Sequence, residues 1–124
     1  MIDEVARFRT FERIRRRTEF QRVYEHGTRL RGRYATIFIL ANKGETWRLG
    51  IAATKKLGGA VRRNRAKRLI REVFRRNKLN AGFDIVVVPN RELFEASLSA
   101  LEAEYCASLE RRLGLRRPRR AQGL

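Results

Sequence analysis

Apolar and polar positions alternate along the chain with two different periods. In "TEFQRVYEHG" the apolar residues Phe20, Val23 and Tyr24 recur at i, i+3 and i+4, the spacing of one helix face. Thr18 and Gln21 at its start fit a capping box, and Gly27 fits a C-terminal stop. "TRLRGRYATIFILA" is rich in β-branched and aromatic residues; it predicts a short strand over Thr28–Arg31 and a longer one over Arg33–Ala41. "NKGET" reads as a hairpin loop and "WRLGIAAT", Trp47–Thr54, as the returning strand. "KKLGGA" leads into a helix beginning near Ala60, and "NKLNAG" ends that helix. "FDIVVV" is a short apolar strand closed by Pro89. Its alternating sets, Ile85 with Val87 and Val86 with Val88, require a helix on at least one face. Arg91 to Leu113 predicts a last helix with an apolar stripe of Phe94, Leu98, Leu101, Tyr105 and Leu109.

This order of elements predicts an α+β domain with helices on a single sheet. The domain spans residues 18–113. Residues 1–17 read as a basic N-terminal arm, and residues 114–124, "GLRRPRRAQGL", as a basic disordered tail. No repeat or long linker divides the chain, and 124 residues suffice for one modest core.

Charge changes the picture most. The chain carries 30 Lys and Arg against 13 Asp and Glu, a net charge of +17, which calls for an anionic partner. No apolar run reaches the roughly 20 residues of a membrane span, and the start of the chain lacks the apolar core of a signal peptide. Cys106 is the single cysteine, so no internal disulfide forms. These features suit a cytoplasmic protein whose partner is nucleic acid or an anionic membrane surface.

The charge is concentrated in "AVRRNRAKRLIREVFRR", Ala60–Arg76, with eight cations and one acid. Like charges one turn apart cost a helix about 0.2–0.5 kcal/mol per pair. Resolved by face, Ala66, Leu69, Ile70, Val73 and Phe74 share the core side, while Asn64, Arg68, Arg71 and Arg75 project within about 60° of one another on the opposite side. Arg62 and Arg63 are expected in the loop or first turn. There they join Lys55 and Lys56 beside the exposed N–H groups and positive dipole end of the helix. Glu72 alone cannot balance this row.

Groups for autonomous chemistry are missing from the pattern. The carboxylates are dispersed, His26 is the only histidine, and the Gly58-Gly59 pair lacks the Lys-Ser/Thr of a phosphate loop. No catalytic residue and no protein metal site is expected.

The string "KKLGGAVRRNRAKRLIREVFR" resembles the signature of the bacterial ribonuclease P protein subunit, and "RIRRRTEFQRVYEHG", "YATIFIL" and "RLGIAATKK" resemble that family's opening helix and central strands. The likeness runs from about Arg13 to Phe94. The sequence departs from the pattern at Thr54, where Ser is common, and at Gly59, where Asn is common. The resemblance implies a small α/β sandwich with a mixed sheet of about four strands and a left-handed β-α-β crossover, a connection that topology rules alone disfavour. It further implies a subunit of an endoribonuclease whose catalytic RNA, with Mg²⁺, removes the 5′ leader of precursor tRNA. The partners are then the catalytic RNA and precursor tRNA, with no membrane and no obligate protein partner, and the protein alone is inactive. Carried over by position, Arg62, Arg63, Asn64, Arg65, Lys67, Arg68, Arg71 and Arg75 face RNA. Phe20, Tyr24 and Phe38, with Lys55 and Lys56 at the edge, match the leader-binding cleft. Aromatic residues at helical spacing are more often core than ligand contacts, so packing is the competing reading of Phe20, Tyr24 and Phe38. A ribosomal or general RNA-binding protein is the alternative for the whole chain; it accounts for the charge and leaves the aromatic pattern unexplained.

Overall fold

A computed structural model describes residues 13–44, 46–77 and 82–113. The elements are α1 (Arg17–His26), β1 (Thr28–Arg31), β2 (Ala35–Ala41), β3 (Arg48–Ile51), a 3₁₀ turn at Lys55–Leu57, α2 (Ala60–Arg76), β4 (Phe83–Pro89), a 3₁₀ turn at Arg91–Glu95 and α3 (Leu98–Leu113). The strands form one mixed sheet in the order β1-β2-β4-β3. β4 runs antiparallel to β2 and parallel to β3, so α2 is the crossover of a β-α-β unit. The expected α+β architecture with a single four-stranded mixed sheet is therefore present.

The two sets of apolar residues on β4 face opposite layers. Ile85 and Val87, with Ile37, Ile39 and Leu49, join Ala66, Ile70, Val73 and Phe74 of α2 and Leu101, Tyr105 and Leu109 of α3 in the main core. Val86 faces the other way and meets Val23 of α1 and Ile14, flanked by Phe20, Phe38 and Leu40. Register aligns Arg29, Phe38, Val86 and Gly50 across the four strands on this second face. Gly50 has no side chain because the Phe20 ring occupies its place; a Cβ there would lie 2.8 Å from Phe20 Cε1.

Several boundaries differ from the sequence reading. Of residues 13–17, assigned to the arm, Ile14 anchors the chain to the sheet: its side chain is buried, and its N–H donates to the Leu49 carbonyl at 2.9 Å, while its neighbours stay exposed. The rest of the arm and the tail lie outside the described residues. α1 begins at Arg17, and Glu19 rather than Gln21 caps it, accepting from the N–H groups of Arg15 (3.3 Å) and Arg16 (3.2 Å). β2 starts at Ala35 because the N–H groups of Arg33, Tyr34 and Ala35 turn toward the Glu104 carboxylate of α3 instead of a neighbouring strand. The predicted last helix is divided. Arg91–Glu95 forms a 3₁₀ turn that buries Leu93, and Ser97 Oγ then accepts from the Ala100 N–H to open α3. Phe94 thus belongs to the turn, outside the helical stripe.

Candidate nucleic-acid interface

α1 covers only part of its face of the sheet. Beyond it, Thr36 and Phe38 of β2 and Val88 and Pro89 of β4 floor an open cleft of about 1030 Å³. Tyr24 forms one wall; Arg29, Arg33, Lys56 and Arg91 supply positive charge around it, with Glu92 as the acidic lining residue. The rings of Tyr24 and Phe38 meet edge to face at 4.9 Å, and Phe20 stands 6.5 Å beyond Tyr24. The Arg29 guanidinium lies 6.0 Å from the Phe38 ring. Partial burial pushes the Tyr24 phenol above its ordinary value, so it stays protonated and able to donate at neutral pH.

This geometry divides the expected cleft residues. Tyr24, Phe38 and Lys56 line the cleft. Lys55 is exposed in the neighbouring 3₁₀ turn without lining it. Phe20 opens instead onto a smaller pocket of about 280 Å³ between α1 and α2, with Arg13, Ile14, Arg15, Leu49, Ile51, Lys67 and Arg71. Arg29, Arg33 and Arg91 were absent from the sequence-derived site. The first could have been found by pairing β1 with β2, since Arg29 stands directly opposite Phe38.

The basic helix has the two faces expected of it. Ala66, Ile70, Val73 and Phe74 are buried and Leu69 is half-buried. Asn64, Lys67, Arg68, Arg71 and Arg75 line a groove of about 370 Å³ together with Glu72. Burial lowers the Arg71 pKa first, and the nearby Arg13 charge lowers it further. Arg62 and Arg63 lie in the first helical turn, as Ala60 opens α2 after Gly59. Arg62 and Arg65 turn away from the groove: their guanidinium carbons lie 4.5 and 6.0 Å from the Phe94 ring. Thus the eight expected RNA-facing side chains do not form one surface. The first turn holds no acidic residue, which leaves the helix dipole opposed by its own cations.

An ion network fixes α1 to the sheet. Arg48 of β3 donates Nε and Nη2 to the buried Asp84 of β4 at 2.9 and 2.8 Å, and Nη1 to Glu19 at 3.1 Å. Asn42 also donates to Asp84 at 2.8 Å. Burial raises the pKa of both carboxyls, but the Arg48 guanidinium and the other donors outweigh it and hold both below their ordinary values. These acids are structural partners, and among the described residues no group of three or more His, Cys, Asp or Glu stands where it could share a metal ion. No described helix is long and apolar enough to cross a membrane.

The family model described as Ribonuclease P matches residues 8–112. The ribonuclease P protein component of Thermotoga maritima is 43% identical over 86 residues, covering 68% of this chain and 74% of that protein. The solved structure of the T. maritima RNase P protein superposes with a TM-score of 0.72 at 36% identity, covering 81% of this chain and 96% of that one. The Staphylococcus aureus RNase P protein gives 0.71 at 31% identity, with 82% and 94% covered. A sheet with an aromatic cleft on one face, a basic crossover helix behind it and sequence likeness across nearly the whole described chain lead to one conclusion: the chain belongs to the ribonuclease P protein component family, the protein subunits of the endoribonuclease ribonuclease P.

Proposed function

We propose that the cleft receives the single-stranded 5′ leader of precursor tRNA while the ridge of α2 docks on the catalytic RNA. One observation carries the reading: Tyr24 and Phe38 sit in an open cleft surrounded by Arg29, Arg33, Lys56 and Arg91. Single strands are held this way, with bases stacked on aromatic rings and a basic groove tracking the backbone. Lys67, Arg68 and Arg71, with the neutral amide of Asn64 beside them, form a cationic strip suited to phosphates of a folded RNA. The two surfaces then allow one protein to grip substrate and catalyst together.

In this reading the chemical step belongs to the RNA. Among the described residues, Asp84 and Glu19 are engaged in the Arg48 network, Glu104 with the β1–β2 turn and Glu72 with Arg75, and this reading assigns the Mg²⁺ that activates cleavage to the RNA subunit. The protein contributes substrate affinity and neutralises phosphates that would otherwise repel one another. The setting is the cytoplasm.

Reconstitution tests this. Adding the protein to a bacterial ribonuclease P RNA at low Mg²⁺ is expected to accelerate cleavage of precursor tRNA and to favour leader-bearing substrate over mature tRNA. Acceleration without any leader preference would remove the cleft from the mechanism. Cleavage by the protein without RNA would remove the assignment of chemistry to the RNA.

A further inference from the structure

Glu72 is the only acidic side chain on α2, and it stands inside the cationic groove rather than on the far flank. Its two oxygens accept from Arg75 Nε, at 3.1 Å, and from Arg75 Nη2. This fork is the arrangement in which a guanidinium would otherwise hold a phosphate. The hydrogen bond from Arg75 is the main reason the Glu72 carboxyl lies below its ordinary value, which keeps it ionised at neutral pH. An RNA backbone entering the groove meets Lys67, Arg68 and Arg71, but takes the fork of Arg75 only by displacing Glu72.

We propose that Glu72 is a specificity-determining residue: an internal carboxylate that withholds Arg75 and so weakens binding of flexible, non-cognate RNA to the ridge. The inference rests on the reading of this ridge as an RNA-docking surface. A flexible strand adapts to every cation within reach, and its affinity follows the number of phosphates neutralised. A folded RNA presents phosphates at fixed positions and keeps its contacts with Lys67, Arg68 and Arg71 whether or not Arg75 joins them. Withholding one cation therefore costs the flexible strand more than the folded one. An ordinary i,i+3 pair that serves only the helix would leave both affinities alone.

The test uses the full chain, a short oligouridylate and a bacterial ribonuclease P RNA, with Kd measured across a KCl series. Glu72→Gln is expected to tighten oligouridylate binding about two- to fivefold, the strength of one exposed ion pair. Its log–log salt slope steepens by about 0.7, one added single-strand phosphate, and the gain for the catalytic RNA is smaller. In Glu72→Gln/Arg75→Gln the gain disappears. Glu110→Gln, which adds the same net charge on exposed α3, reproduces none of the slope change. An unchanged oligouridylate affinity, an equal gain in Glu110→Gln, or a gain that survives loss of Arg75 would overturn the proposal. Arg68→Gln/Arg71→Gln separates the two levels. If it leaves catalytic-RNA affinity intact, the ridge reading fails and Glu72 with it; if it weakens binding while Glu72→Gln changes nothing, the Glu72 inference fails alone.

Discussion

The cleft and the ridge are both basic, yet they are built in opposite ways. The ridge is one helix: its residues follow one another at helical spacing from Asn64 to Arg75, and its apolar back is fastened to the main core. The cleft is collected from α1, the β1–β2 turn, three strands and both 3₁₀ turns, and its floor is a part of the sheet that α1 leaves uncovered. A helical ridge needs only that its helix be buried on one side. A composite cleft needs each contributing segment to be held in place by something outside it. Arg48, Asp84 and Glu19 do this for α1; Glu104 and Asn90 do it for the β1–β2 turn. Perturbing these supports should therefore damage the cleft and spare the ridge.

The largest effect is expected at Asp84. Replacing it with Ala leaves Arg48 without its main partner in a largely buried position. The cost is about 2–3 kcal/mol of stability, below the roughly 3–5 kcal/mol of a fully buried pair because Arg48 retains some access to water. Denaturant unfolding measures it. The pH dependence has a definite sign. Asp84 and Glu19 both have folded pKa values below their ordinary 3.8 and 4.5, so their contribution is complete above that range and is lost as pH falls through the folded values. The wild type should lose stability on acidification below about pH 4, and Asp84→Asn should flatten that acid limb. An acid limb unchanged in Asp84→Asn would mean that other carboxylates govern it.

Tyr24 and Phe20 sharpen the division on α1 itself. Tyr24 is 38% exposed and lines the cleft, whereas Phe20 fills the space over Gly50. Tyr24→Ala should reduce the preference for leader-bearing over mature tRNA about tenfold, the loss of one stacked base, with little change in melting temperature. Phe20→Ala should lower the melting temperature and leave most of the leader preference in place. The reverse pattern in equilibrium binding and thermal melts would exchange their roles.

The same contrast explains what could be read from the chain. The ridge was legible because helical periodicity is local: Ala66, Ile70, Val73 and Phe74 separate from Asn64, Arg68 and Arg71 by counting alone. The four strands were legible from β-branched runs, though their ends shifted wherever a distant side chain claimed the backbone, as Glu104 does 70 residues from Tyr34. Arg62 and Arg65 could not be separated from the other RNA-facing residues of α2, since the aromatic ring that draws them aside lies about 30 residues later, on a 3₁₀ turn that the sequence pattern does not distinguish from α3. Phe20 shared helical phase with Tyr24, and only the glycine opposite it on β3 distinguishes packing from cleft. Arg33 and Arg91 reach the cleft through tertiary structure and carry no local signal.

Glu104 offers the finest test of the supports. Its carboxylate lies on the main-core side of the molecule, on α3, yet it holds the turn that carries Gly32 and Arg33 into the cleft. Oε1 accepts from the Arg33 N–H at 2.7 Å and from Tyr34 at 3.3 Å; Oε2 accepts from Tyr34 at 3.0 Å and Ala35 at 3.3 Å. Asn90 completes the clamp by donating Nδ2 to the carbonyls of Gly32 and Arg33. In Glu104→Gln one oxygen still accepts, but the amide NH₂ faces a backbone N–H that it cannot satisfy, so the turn loosens at one end. Leader preference should fall about threefold, less than for a removed stacking ring because Arg33 remains present and only its placement is lost. Catalytic-RNA affinity, proposed above to reside on α2, should stay within experimental error. Asn77→Ala is the matched control. It removes a buried hydrogen bond to the Val73 carbonyl and a part-buried one to Glu102 at the α2–α3 junction, away from the cleft, and should lower stability without touching leader preference. If Glu104→Gln and Asn77→Ala change leader preference equally, the rim is sensing global stability and the support from α3 has no separate role.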